Sequence, residues 1–356
     1  MDRVIIGLHG LNNKASASVL RDWWILSIRN GLRAVSHPNI PFDFKLLYWS
    51  DLLYPSSLDI HITSKDDPRF LNNPYKKLAP QIVPTFPKWK QRRLERLEKV
   101  TNGLLHNERI FNTVENLSDH LIHSRFHDLD AYFTNKTGYR DAKHRPIRDV
   151  ILERLANLLQ QYQDKHVMIV AHSMGSIIAF DLLSQPKVPF VVNTLLTVGS
   201  PLGQPTLLCK FNPENPVTHK TVTPPGVRKW YNIADIDDII SLDPTLGDDF
   251  APNDMGVKPI DIIVNNAYCW EKIANPHAIY GYLQTPECAE LIYRFLTKGM
   301  SRLKCRFTKT WGWIQESWLN DSKKRLNRSP SRQERLSEDK DRHLSNENKF
   351  DVQAKS

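Results

Sequence analysis

A serine placed between an apolar strand and an apolar helix is the first feature of this 356-residue chain whose spacing could do chemistry. Val167-Met168-Ile169-Val170 runs into Ala171-His172-Ser173-Met174-Gly175, and Ile177-Ile178-Ala179-Phe180 follows. A corner this tight holds its serine in a strained backbone conformation and lifts the hydroxyl above the sheet edge, where it can attack a carbonyl. The positions two before and two after the serine must be small, or they collide with the neighbouring strand and helix. Gly175 and Ala171 meet that demand, with alanine standing where glycine is the commoner choice. The Met174 amide, at the start of the helix, points toward the place where an oxyanion would form.

Acyl chemistry at a serine also needs a second oxyanion donor, a base and an acid. The run Val4–Leu8 ends in His9-Gly10-Leu11-Asn12, where a glycine lets the backbone approach a substrate and the Leu11 amide is the natural second donor. His9 is expected to order this loop rather than to act as base. Three histidines follow Ser173: His219 in a Pro/Thr-rich stretch, His343 in a charged tail, and His277. His277, in Asn275-Pro276-His277-Ala278-Ile279-Tyr280, begins a helix after a turn, as a loop-borne base should. For the acid, Ala234-Asp235-Ile236-Asp237-Asp238-Ile239-Ile240 offers three carboxylates. Asp238, followed by two apolar residues, is favoured; Asp235, nearest the strand end, is the runner-up, and Asp237 reads as a solvated charge.

The elements that must position these groups are legible from periodicity. Strands are expected at Val4–Leu8, Phe42–Trp49, His166–Ala171, Val191–Val198 and Val227–Ile233. Helices are expected at about Ser18–Leu32, with a Val19, Trp23, Leu26 stripe closed by Gly31, then at Pro146–Tyr162, Gly175–Leu183 and Pro286–Leu296. Strands alternating with helices imply an α/β protein, its mostly parallel, doubly wound sheet covered on both faces. Residues 1–51 and 146–298 would form this core. Residues 52–145 hold several prolines, a basic helix near 88–100 and another near 114–127, so they read as an inserted, mainly helical cap. Residues 299–356 read as a basic, largely disordered tail with a Trp-rich helix.

Together, His9-Gly10-Leu11, Ala171-His172-Ser173-Met174-Gly175, Val198-Gly199-Ser200-Pro201-Leu202-Gly203, Asn232-x-x-Asp235-x-x-Asp238 and Pro276-His277-x-x-Tyr280 resemble the lipase and serine-esterase branch of the α/β-hydrolase superfamily. The resemblance covers roughly residues 3–50 and 146–297. It implies Ser173 as nucleophile, His277 as base, Asp238 as acid, and the Leu11 and Met174 amides as oxyanion hole. The cap matches no pattern of that branch. The expectation is a serine hydrolase acting on a carboxylic ester of a lipid or another acyl substrate, without a cofactor. An acyltransferase or thioesterase would use the same triad, and a non-catalytic binding protein could use the same scaffold.

The remaining features say less about chemistry. The net charge is +9, but eleven Lys/Arg against three Asp/Glu between Lys298 and Arg335 supply +8 of it, so basicity says nothing about the site. Trp311, Ile314 and Trp318 share one helical face after Lys304, Arg306 and Lys309. They suit peripheral contact with an anionic membrane or an acidic partner, or docking on the body. No nucleic-acid motif accompanies the charge. Cys209, Cys269, Cys288 and Cys305 show no paired spacing and read as reduced thiols. His120, His123 and His127, at i, i+3 and i+7, fit a solvated face better than a metal site, and no metal is expected. No segment has the length of a membrane span, and the N-terminus has no leader-like pattern, so a cytoplasmic product is expected.

Overall fold

Val4, Ile5 and Ile6 of β1 (Arg3–Leu8) are wholly buried, yet successive side chains of a strand point to opposite faces. Both faces of the sheet must therefore be covered. The computed structural model, which describes residues 2–37, 40–78, 127–134, 145–186, 189–211, 221–241 and 243–300, has this arrangement. Besides a short 3-10 turn and two small two-stranded sheets, the described elements are, in chain order, β1, α1 (Ala17–Ala34), β2 (Asp43–Leu47), α2 (His127–Phe133), α3 (Ile147–Gln161), β3 (His166–His172) and α4 (Met174–Leu183). They continue with β4 (Thr194–Val198), α5 (Pro205–Phe211), β5 (Trp230–Ala234), β6 (Pro259–Ile263), α6 (Ile279–Tyr282) and α7 (Pro286–Thr297). The six strands form one parallel sheet in the order β2-β1-β3-β4-β5-β6.

Alternation along the strands builds two cores. Val4, Ile6, Val167, Ile169 and Leu195 face α3, α4 and the Leu129–Tyr132 side of α2. Ile5, Met168, Val170, Leu196 and Ile233 face α1, α6 and α7. The sheet is thus doubly wound, as the alternation of elements predicts. From β1 the chain passes to β2 on one side, then returns to place β3 on the other. The gap between β1 and β3 is therefore a topological switch point, where ligands of such sheets bind at the carboxyl ends of the strands. Register sets those ends level: Leu8 pairs with Ala171, His172 with Val198, and Val198 with Ile233. The loops that start at His9, Ser173, Gly199 and Asp235 consequently leave the sheet from one edge.

The structure corrects several expectations. The buried stripe of α1 is Leu20, Trp24, Ile28 and Leu32, and Leu26 is 40% exposed. Apolar residues fill two neighbouring rows of this helix, and the row that meets α7 is not the one that spacing suggests. Gly31 does not end the helix. It lies inside α1 because a Cβ there would stand 2.3 Å from the Leu283 carbonyl oxygen. Gly31→Ala is expected to cost roughly 1–3 kcal/mol, the range for overpacking, read as a lowered midpoint in thermal unfolding. Strand β6 is not among the strands that periodicity predicts. Its Asp261 accepts hydrogen bonds from the Leu246 and Gly247 amides and from Asn232 Nδ2, and Ile260 is 55% exposed. A carboxylate and an exposed face on an edge strand blur the buried-strand pattern. Residues 53–78, the first part of the expected helical cap, contain no helix and follow the body as irregular chain. There Leu58 N–H donates to Lys14 O, Tyr268 Oη to Pro74 O, and Leu78 N–H to Gln284 Oε1. The helix expected at 88–100, most of that at 114–127, His120, His123, and the tail with its tryptophans lie outside the described residues. Among the described residues no helix is long and apolar enough to cross a membrane, and no His, Cys, Asp or Glu cluster is arranged to hold a metal.

Candidate active site

Ser173 is the residue directly after β3, and its backbone sits at φ 54° and ψ −125°. That left-handed conformation is strained for any residue but glycine, and it persists only where the surroundings impose it. They do so here with several bonds. Ser173 N–H donates to Val198 O at 3.1 Å, and Ser176 Oγ donates to Ser173 O at 2.6 Å. Ser176 Oγ and Ser200 Oγ are 2.8 Å apart, and Ser200 Oγ also accepts from Leu202 N–H. The glycine two residues on is required by packing: a Cβ on Gly175 would lie 2.5 Å from the Leu8 carbonyl oxygen. Ala171, fully buried between Leu8 and Thr197, fills the other small position.

The loop after β1 comes against this serine. A Cβ on Gly10 would stand 2.7 Å from Ser173 Cβ and 3.2 Å from its Oγ, so only glycine lets the backbone pass. His9 is buried, stacks on Trp49 with ring centroids 4.7 Å apart, and accepts at Nε2 from the Trp49 amide. Its Nδ1–H is therefore the donor to Gly10 O at 2.9 Å. Burial and the nearby Lys14 charge push the His9 pKa down to about 3, so the ring stays neutral. Leu11 N–H makes no hydrogen bond among the described residues. The Met174 amide, first of α4, has no partner within its helix for the general reason that opening amides never do.

Asp238 and His277 meet on the other side. His277 Nδ1 lies 2.9 Å and 2.8 Å from the two carboxylate oxygens of Asp238. The Asp238 side chain is wholly buried and that of His277 is 26% exposed, so only the imidazole can reach a substrate. Tyr282 Oη and Ser241 Oγ donate to Asp238 Oδ2, and Ile240 N–H donates to Oδ1. Burial alone would raise the Asp238 pKa; the bonds from His277, Tyr282 and Ile240 outweigh it and hold the carboxylate below its ordinary value. Asp235 makes a different set of contacts. Its oxygens accept from the Asn266 and Asp237 amides, and Asn266 Nδ2 in turn donates to Pro276 O and Ala278 O on either side of His277.

His277 and the serine turn meet at His172. Its Nε2 lies 2.8 Å from His277 O, and the two rings are 4.7 Å apart. Burial first, and then the neighbouring His277, push the His172 pKa well down, so it serves as a neutral donor to that carbonyl. Ser173 Oγ and His277 exchange no hydrogen bond among the described residues. Such a bond tightens in many hydrolases only when substrate is present. Tyr282, Asn266, Ser200 and His172 are supports that sequence reasoning does not find. Ser200 and His172 belong to the Val198–Gly203 and Ala171–Gly175 runs that carry the resemblance, which are the available signals. A cleft of about 630 Å³ between the start of α1 and residues 54–61 is walled by Asn13, Ser16, Tyr48 and Tyr54. It adjoins the Leu11–Asn13 loop and does not include Ser173.

A doubly wound parallel sheet with a strained serine at the switch point and a carboxylate–histidine pair from later loops defines an α/β-hydrolase fold. Residues 108–214 match the model of the PGAP1-like alpha/beta domain, a lipase/esterase-like α/β-hydrolase family. That stretch holds β3, Ser173, α4 and β4, and stops short of Asp238 and His277. No curated protein and no solved structure matches the chain.

Proposed function

We propose that the protein is a serine hydrolase that cleaves a carboxylic ester, of a lipid or another acyl substrate, through an acyl-enzyme on Ser173. His277 Nε2 takes the Ser173 proton as Oγ attacks the ester carbonyl. The Leu11 and Met174 amides receive the developing oxyanion, and His277 returns the proton to the departing alcohol. Water, deprotonated by the same imidazole, then releases the acid. Asp238 keeps the Nδ1–H tautomer and stabilises the imidazolium without accepting the proton itself. The observation that carries this reading is the strained Ser173 corner, whose neighbour His172 contacts His277, together with the His277 imidazole whose Nδ1 is bound to a buried carboxylate.

A fluorophosphonate probe tests it. The native protein should be labelled, with the adduct on the peptide that carries Ser173, and the labelling should vanish in Ser173→Ala and His277→Ala. A folded native protein that takes up no probe would overturn the enzyme reading in favour of a binding scaffold.

A further inference from the structure

The loop that would supply the Leu11 amide is clamped by groups that no step above uses. Two peptide units matter. In the first, between Gly10 and Leu11, the carbonyl accepts from His9 Nδ1–H. Because a trans peptide points its N–H opposite its C=O, this bond aims Leu11 N–H away from His9. In the second, between Leu11 and Asn12, both ends are tied to side chains. Leu11 O accepts from the Lys14 ammonium, and Asn12 N–H donates to Asp128 Oδ2 at 2.6 Å. Lys14 also donates to Asn12 O at 3.0 Å. Asn12 itself sits at φ 70°, in the left-handed region that asparagine adopts more readily than most residues.

Asp128 does not belong to the sheet. It comes from α2, in the segment inserted between β2 and α3, and it is 2% exposed. Its second oxygen accepts from Tyr54 Oη at 2.6 Å, and Tyr54 also walls the cleft beside the loop. A buried carboxylate with two short bonds, one of them to a backbone amide 116 residues away, is an expensive way to hold a helix in place.

We propose that Lys14 and Asp128 are positioning residues for the oxyanion amide of Leu11, so that seating of α2 from the inserted segment sets the activity of the site. The proposal rests on the serine-hydrolase reading above. Lys14 and Asp128 grip the Leu11–Asn12 peptide from opposite ends, and loss of either lets the Leu11 segment shift as a body about the Gly10 carbonyl that His9 holds. Leu11 N–H is then no longer held toward the oxygen of the carbonyl that Ser173 attacks. Ground-state binding does not use that bond, so kcat should suffer and KM should not.

Among the described residues, the groups that face Lys14 are Asp128 from α2, to which Tyr54 is bonded, and His9 and His172 from the ends of β1 and β3. Burial and, for Tyr54, its bond to Asp128 keep the phenol protonated and the two imidazoles neutral. Burial lowers the Lys14 pKa to about 8, against the opposing pull of Asp128. The ammonium is present below that value and is lost above it, so the clamp should weaken as pH rises through about 8.

The test is turnover of a p-nitrophenyl ester from pH 6 to 10, with thermal unfolding as a control, for native protein, Lys14→Met, Asp128→Ala and Asp128→Asn. Displacing one oxyanion donor costs up to about 100- to 1000-fold in kcat. Lys14→Met and Asp128→Ala should lose at least about 10-fold in kcat at pH 7 with KM within about twofold, as expected for partial displacement of that donor. Asp128→Asn, which keeps an acceptor for the Asn12 amide, should recover part of the loss. The native alkaline decline should be absent in Lys14→Met. Native kcat and an unchanged alkaline limb in folded Lys14→Met would overturn the proposal, whatever Asp128→Ala does. A native protein that neither turns over ester nor takes up fluorophosphonate would instead sink the hydrolase reading beneath it.

Discussion

Asp238→Asn is expected to lower kcat about 10,000-fold while leaving the protein folded, because the histidine would be held in the wrong tautomer. Three donors surround the Asp238 carboxylate apart from His277: Tyr282 Oη, Ser241 Oγ and the Ile240 amide. Tyr282 and Ser241, which share Oδ2, would claim the carbonyl oxygen of an asparagine and leave its NH2 at the Oδ1 position, facing His277 Nδ1. Nδ1 must then accept, the ring proton moves to Nε2, and the nitrogen that should take the serine proton is already protonated. Asp235→Asn has another consequence. It weakens the bond to the Asn266 amide, and Asn266 brackets His277 through Pro276 O and Ala278 O. A loss of about tenfold is expected there, in the range of a positional disturbance rather than a lost tautomer. Turnover of a p-nitrophenyl ester by both variants, with melting curves, decides between them. If Asp238→Asn retained native activity while Asp235→Asn was dead, the acid would move to Asp235.

How much of the fold and of the site is legible in the sequence depends on the kind of signal. The strand-turn-helix around Ser173 is local, and local patterns survive in sequence: β3 and α4 fall within a residue of the expected boundaries. The packing row of α1 is not legible in this way, because Trp23 and Trp24 occupy neighbouring rows and only the sheet chooses between them. Strand β6 is masked by Asp261, whose charge is satisfied by the Leu246 and Gly247 amides from a loop that periodicity does not connect to it. Within the candidate site, the residue types proposed as nucleophile, base and acid are scarce enough to pick out by order along the chain. Their supports are not. Asn266, Tyr282 and Asp128 are ordinary polar residues whose roles exist only because the chain folds back over dozens of positions. The choice of Asp238 over Asp235 shows the limit well. Both are buried near the end of β5, and three residues of spacing separate a carboxylate on His277 from one on Asn266.

Gly199→Ala should do damage out of proportion to one methyl group. Gly199 follows β4 at φ +53°, and its amide donates to Ile233 O at 2.9 Å, which fixes the turn. An alanine must either accept that left-handed conformation, at about 1–2 kcal/mol, or break the bond. The new Cβ would also stand 2.8 Å from Asp238 Oδ2, 3.2 Å from the Tyr282 ring and 3.3 Å from His277 Nδ1. None of these is the loose end of a flexible chain. The carboxylate is anchored by four donors, and the imidazole is held by its backbone on both sides. The pair must therefore shift by some tenths of an ångström away from the β4 end, and His277 moves off the serine with it. A misplacement of about 1 Å can cost 100-fold in rate, so kcat should fall at least tenfold. Thermal unfolding should drop by several degrees, following the roughly 2–4 °C per kcal/mol of a domain this size. Gly203→Ala is the control, since its Cβ would meet Asp243 and Asp249 at 3.0–3.1 Å but neither member of the pair. Equal loss of activity in the two variants would mean that general strain in this loop, and not the close approach to Asp238 and His277, is what Gly199 relieves.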